Sequence, residues 1–118
     1  MEPDAHFSGH PLALEVFERV RSILEGIGPV EVRASKSQVA FRRARGFAWL
    51  WRPGQYLRRP GGEVVLSIAL GRHDQSRRWK EVAHPSPRHW IHHLEVNDVA
   101  EINDEVSGWL REAAERAG

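Results

Sequence analysis

The hydrophobic period of this chain changes twice, and that succession limits the folds open to it more than any other feature. From Pro11 to Ile27 the apolar residues Leu12, Val16, Phe17, Val20, Ile23, Leu24 and Ile27 recur at three- and four-residue spacings, with Glu15, Glu18, Arg19 and Arg21 outside the stripe. That spacing predicts an amphipathic helix. Pro11 suits its first turn, and Gly28-Pro29 ends it, because glycine tolerates a left-handed cap and proline cannot continue the ladder. From Val30 to Val96 the period is two. From Asp98 to Ala117 the helical spacing returns through Val99, Ile102, Val106, Trp109, Leu110 and Ala113, and Asp98 with Glu101 three residues on has the form of a capping box.

The middle segment divides at its turn signals. Val30 to Arg33 is a short first strand. Gln38 to Arg43 alternates Val39 and Phe41 against Ala40 and Arg42, and Phe47 to Trp51 sets Phe47, Trp49 and Trp51 on one face against Ala48 and Leu50. On that parity at least two of the three aromatics belong to the core. The Arg43-Ala44-Arg45-Gly46 link has hairpin length, and Pro60-Gly61-Gly62 separates Tyr56–Arg58 from Glu63–Leu70, predicting that those two segments pair. Trp79 to Val82 extends, Pro85-Ser86-Pro87 breaks the pattern, and Trp90 to Val96 resumes it. Short connections make this an antiparallel meander of about five strands. Two amphipathic helices and a half-buried sheet can hide their apolar faces only against one another, so the expectation is an α+β fold in two layers, the sheet packed against an N-terminal and a C-terminal helix. At 118 residues and 41% hydrophobic the chain fits a single domain, 1–118, with no linker or internal repeat.

Several chemistries are closed to it. There is no cysteine, so disulfides, thiolate zinc sites and a cysteine nucleophile are excluded together. The sequence contains no Gly-x-Ser-x-Gly elbow, phosphate-binding Gly-x-x-x-x-Gly-Lys loop, Gly-x-Gly-x-x-Gly fingerprint or Ser-x-x-Lys pair. The opening MEPDAHFSGH is acidic where a signal peptide is basic, and the longest apolar run, Val64 to Leu70, is far short of the roughly 18 residues of a membrane span. The cytoplasm is the default location.

The His6-Phe7-Ser8-Gly9 opening, Lys36-Ser37-Gln38-Val39-Ala40-Phe41-Arg42-Arg43 leading into Gly46-Phe47-Ala48-Trp49, Arg78-Trp79-Lys80-Glu81-Val82 and Trp90-Ile91-His92-His93-Leu94-Glu95-Val96 span almost the whole chain. Together they resemble a family of small bacterial domains of unassigned function, sometimes labelled a predicted transport protein domain. The resemblance implies an α+β domain with terminal helices around a sheet and lends no reaction. The transport label sits badly with a chain that has no apolar span.

Histidine and arginine supply the candidate sites. His89 and His93 would share a helix face as zinc ligands do, but the segment has strand composition, and on a strand they lie about 13 Å apart at ~3.3 Å per residue, too far to share one ion. No metal and no cofactor is therefore expected. His6 and His10 stand at an exposed start. His92 shares the apolar face with Trp90, Leu94 and Val96, as a neutral core histidine does. His93 faces the other way; steadied by Glu95 or Glu81, it is the candidate acid–base group if the protein is an enzyme. Residues 1–40 carry a net −2, residues 41–90 eleven basic groups against three acidic for +8, and residues 91–118 a net −5. The basic block interleaves arginine with aromatics, the combination that binds phosphates and stacks bases. It nominates Arg42, Arg43, Arg58, Arg59, Arg78 and Lys80 for charge and Trp51 and Trp79 for stacking. The leading expectation is a non-enzymatic binding module for an anionic ligand, either nucleic acid or a phosphorylated or carboxylated small molecule. An enzyme built on His93, and an interaction module that oligomerises through tryptophans, are the alternatives.

Overall fold

The computed structural model describes residues 3–55 and 62–118, folded as two long helices on one face of a six-stranded antiparallel sheet. A four-residue helix α1 (Pro3–His6) leads into α2 (Pro11–Glu25); the strands are β1 (Glu31–Ala34), β2 (Val39–Arg42), β3 (Gly46–Trp51), β4 (Val64–Leu70), β5 (Glu81–Ser86) and β6 (His89–Val96); α3 (Asp104–Ala117) closes the chain. The chain start is packed rather than free: Phe7 is fully buried against Phe17 of α2, whose ring in turn stacks on Phe41 of β2. No helix among the described residues is long and apolar enough to cross a membrane.

The sheet has one strand more than the sequence suggests, and it is not a simple meander. Its order is β1-β2-β3-β4-β6-β5, so the chain leaves β4, lays β5 at the far edge and returns β6 into the gap. Both edges of β4 are thereby taken, by β3 and β6; Tyr56–Arg58, expected to pair with it, lies outside the described residues. Pro85, which reads as a breaker, sits inside β5. An edge strand tolerates a residue without an N–H, and the register slips there between Ala83 and Ser86.

A second difference reverses a face. Phe41 pairs with Ala48 but Arg42 with Gly46, which leaves Phe47 as the extra residue of a β-bulge. The bulge turns Phe47 to the same side as Ala48 and Leu50, and all three are buried beneath the helices, while Trp49 and Trp51 are half-exposed on the opposite face. Strict alternation from Phe47 therefore places both tryptophans wrongly in the core. The helix start is also shifted. Asp98 Oδ1 accepts the Ala100 N–H and Glu101 Oε2 the Asn97 N–H, but they close a 3-10 turn (Val99–Glu101); α3 proper begins at Asp104, capped by Asn103 Oδ1 on the Val106 N–H.

The core lies between α2, α3 and the inner sheet face, with Val39, Phe41, Leu50, Leu66, Ile68, Leu94 and Val96 against Val16, Phe17, Val20, Val106 and Leu110. On the β6 side the loop before β5 completes it. Trp79 packs 4.2 Å from the Trp109 ring of α3 and 4.8 Å from that of His92, and its Nε1–H donates to Asp74 Oδ2 at 2.9 Å. His92 is fully buried, as the period requires; its Nε2 accepts the Asp74 N–H at 3.0 Å, so the ring carries its proton on Nδ1. Among the described residues Nδ1 has no hydrogen-bond partner.

Candidate functional site

Among the described residues no helix lies on the outer sheet face, and its relief follows from side-chain size along adjacent strands. In β4 the inward residues are Val64, Leu66, Ile68 and Leu70, while the outward ones, Val65, Ser67 and Ala69, are small. The register sets Trp49 opposite Ser67 and Trp51 opposite Val65 on the β3 side, and Ile91, His93 and Glu95 opposite Ala69, Ser67 and Val65 on the β6 side. Small residues between two rows of large ones make a trough along β4. Those walls explain why all of β4 is buried, Ser67 at 3% exposure included, although no helix covers its outer side.

Three side chains bridge the trough. Trp51 Nε1–H donates to Ser67 Oγ at 2.9 Å, and Ser67 Oγ stands 2.7 Å from His93 Nδ1, with the Trp51 and His93 rings edge-on at 6.2 Å. Indole only donates, so the serine oxygen accepts from Trp51, and its hydroxyl proton and second lone pair let it meet His93 Nδ1 in either neutral tautomer. When the hydroxyl donates to Nδ1, the proton of neutral His93 resides on Nε2 and the ring tip is a hydrogen-bond donor. Burial pushes the His93 pKa down from its ordinary value, opposed by the Glu81 carboxylate across the β5–β6 pair. The bridge divides the trough into two hollows that share Trp51 and His93. The larger, about 450 Å³, is lined by Gln38, Trp49, Ser67, His89 and Ile91 besides; the smaller, about 200 Å³, by Pro53, Val65, Lys80, Glu81 and Glu95.

This arrangement suits binding better than nucleophilic attack. Ser67 Oγ is sunk beneath two rings and already accepts an N–H, so it fixes His93 instead of facing a substrate. Indole faces and an N–H donor at the edge of an open hollow are what a flat ring with acceptor atoms needs. Among the described residues no three metal-ligating side chains are gathered.

The residues nominated from the sequence are dispersed. Trp51, Lys80, Glu81, His93 and Glu95 meet at the smaller hollow, where Lys80 Nζ is 4.0 Å from Glu95 Oε1. Glu95, expected to steady His93, instead leaves that position to Ser67. Arg42 and Arg43 border a separate hollow with Pro29, Val30 and Glu31, and the Arg42 guanidinium passes Gly46 beside the Trp49 ring. Arg43 Nη1 donates to the Ala114 carbonyl near the end of α3. Arg78 fastens the other end of α3, donating to Asn103 Oδ1, Glu105 Oε1 and the Glu101 carbonyl at 3.0, 2.9 and 2.6 Å. Trp79 is buried with its ring packed against those of His92 and Trp109, and it borders a further hollow with Lys80 and Glu81. Arg58 and Arg59 lie outside the described residues. Gln38, Ser67 and Ile91 escape the sequence reading, which weighed His89 only as a zinc ligand and Trp49 only as core; the alternation of small with large residues in Val64–Leu70 is the signal that points to the trough.

The model of a family described as a domain of unknown function matches residues 3–116. No curated protein sequence and no solved structure matches the chain.

Proposed function

The chain belongs to that family, DUF5655, and because membership brings no activity with it, we propose from the geometry of the trough that the domain is a binding module for a small ligand with a flat ring and acceptor groups. The observation that carries this reading is the Trp51–Ser67–His93 bridge: a buried hydroxyl holds one tryptophan and one histidine in fixed poses on a sheet face that bears no helix among the described residues. Preorganised aromatic walls lose little entropy when a ring inserts between them. The combined hollows also fall in the size range, about 300–1,000 Å³, of sites for small molecules. A nucleobase fits this chemistry, since it stacks by its faces and offers acceptors at its edge.

Titrating a panel of nucleosides and short single-stranded oligonucleotides while following the indole N–H resonances tests it. Binding should move Trp49 and Trp51 and leave the buried Trp109 in place, and Trp49→Ala should weaken it roughly tenfold, the lower range of one stacking contact. Indole signals unmoved by the whole panel at millimolar concentration would refute the reading. A sedimentation mass of two chains, with Trp51→Ala restoring the 13.5 kDa monomer, would give the face to a second copy. Proton transfer by His93 is a second reading, favoured by Glu81 facing the ring from β5; it predicts a rate that follows the His93 titration and vanishes in His93→Gln.

A further inference from the structure

At the corner of the sheet where β6 starts, three basic groups from different parts of the chain lie near one another. His89 opens β6 and lines the larger hollow. Arg116, in the last turn of α3, reaches round the end of the sheet over Gly71, where a Cβ would stand 2.9 Å from its Nε, and brings Nη1 to 3.5 Å from His89 Nδ1. Its Nη2 donates to the Arg88 carbonyl in the β5–β6 turn. Arg45, from the β2–β3 link, donates Nη2 to the Arg116 carbonyl at 3.0 Å.

We propose that Arg45, Arg116 and His89 form an anion subsite at the mouth of the larger hollow, which takes the phosphate of a ligand whose ring lies against Trp49 and Trp51. The proposal rests on the trough being a ligand site and adds which end of the ligand is anionic.

Charge and hydrogen-bond counts support it. Arg33, Arg72 and Arg78 each pair with a carboxylate, whereas among the described residues neither Arg45 nor Arg116 has one. The carbonyls at the end of α3 offset part of the positive charge, but a helix terminus amounts to about half a negative charge against two full positive ones. The rim stays net positive. Each guanidinium has five N–H groups, and protein acceptors take one from Arg45 and two from Arg116, so donors remain for phosphate oxygens. A guanidinium cannot accept, so His89 Nδ1 is the acceptor of their contact and its Nε2 carries the proton, adding a further donor. The guanidiniums are held through carbonyls, an anchoring that leaves the charge free for a ligand. Repulsion within the group is visible in His89, whose pKa burial lowers and the charges of Arg116 and Arg45 lower further.

The test compares adenosine with adenosine 5′-monophosphate on the wild-type protein and on the Arg45→Gln/Arg116→Gln double variant, with circular dichroism to confirm that the variant folds. The monophosphate should bind at least about tenfold more tightly than the nucleoside to the wild type, as one or two charge-assisted contacts give, and the gap should close in the variant while nucleoside affinity stays. Equal affinity of the two probes for the wild type, or a gap untouched by the double variant, overturns the subsite and leaves the trough as a ring-binding site. If neither probe moves Trp49 or Trp51, the reading of the trough fails, and inorganic pyrophosphate then decides the subsite alone. A saturable shift of the His89 ring and Arg116 Nε signals, absent from the double variant, supports it, and flat signals at low salt overturn it.

Discussion

Acidification should destabilise this protein through His92, and the size of the effect follows from where that ring sits. His92 is fully buried, and loss of water lowers its pKa against the pull of the Ile68 and Trp90 carbonyls and the Asp74 carboxylate; the nearby His73 adds to the lowering. An unfolded histidine takes up its proton near pH 6.5, whereas this one, folded, takes it up only at lower pH. The unfolded state therefore binds the proton first. Stability is fully present above about pH 6.5 and falls as pH drops below it, with a limiting slope of about 1.4 kcal/mol per pH unit for one histidine, until the folded ring also protonates. His89 and His93 are shifted in the same direction, so the wild-type slope contains them too. His92→Gln isolates the term: the amide oxygen can still accept the Asp74 N–H, nothing titrates, and loss of the ring contact with Trp79 leaves the variant about 1–2 kcal/mol less stable at pH 7.5. Urea unfolding followed by tryptophan fluorescence from pH 7.5 to 5 should give converging lines, the variant losing less per pH unit. Parallel lines would show that the folded His92 takes up its proton as readily as the unfolded one, and the argument from burial would fall.

Other substitutions probe other joints. Ser67→Ala removes the hydroxyl shared by Trp51 Nε1–H and His93 Nδ1; it should cost about 1–3 kcal/mol in denaturant unfolding and change the His93 tautomer balance, read from its ring nitrogen shifts. Phe47→Ala should cost about 3–5 kcal/mol and Trp49→Ala under about 1, although simple alternation puts the two side chains on one face; similar losses would contradict the bulge. Arg78→Ala releases the turn before α3 from three acceptors and should lower stability by about 2 kcal/mol, whereas Arg33→Ala, whose pair with Glu31 is exposed, should leave the unfolding midpoint unchanged.

What the sequence determined by itself is whatever depends on near neighbours along the chain. The stripe from Leu12 to Ile27 made α2, the spacing from Val106 to Ala113 made α3, and alternation in Trp90–Val96 put His92 inside and His93 outside, because side-chain direction within one regular element is a matter of backbone period. Alternation lost its meaning at Phe47, where one inserted residue reverses direction, and no local signal marks a bulge whose cause is the pairing of Arg42 with Gly46 across a hairpin. Tertiary structure alone decided that β6 enters between β4 and β5, and the site depends on that choice. Ser67 and His93 are 26 residues apart and touch only because their strands are neighbours, and Trp51 reaches the same hydroxyl from the other side. The basic block was legible as charge, but which arginines serve the fold and which stay available was not. Arg43 and Arg78 are committed by the position of α3, while Arg116 reaches His89 and Arg45 the Arg116 carbonyl because a helix end, a hairpin and a strand start arrive at one corner of the sheet.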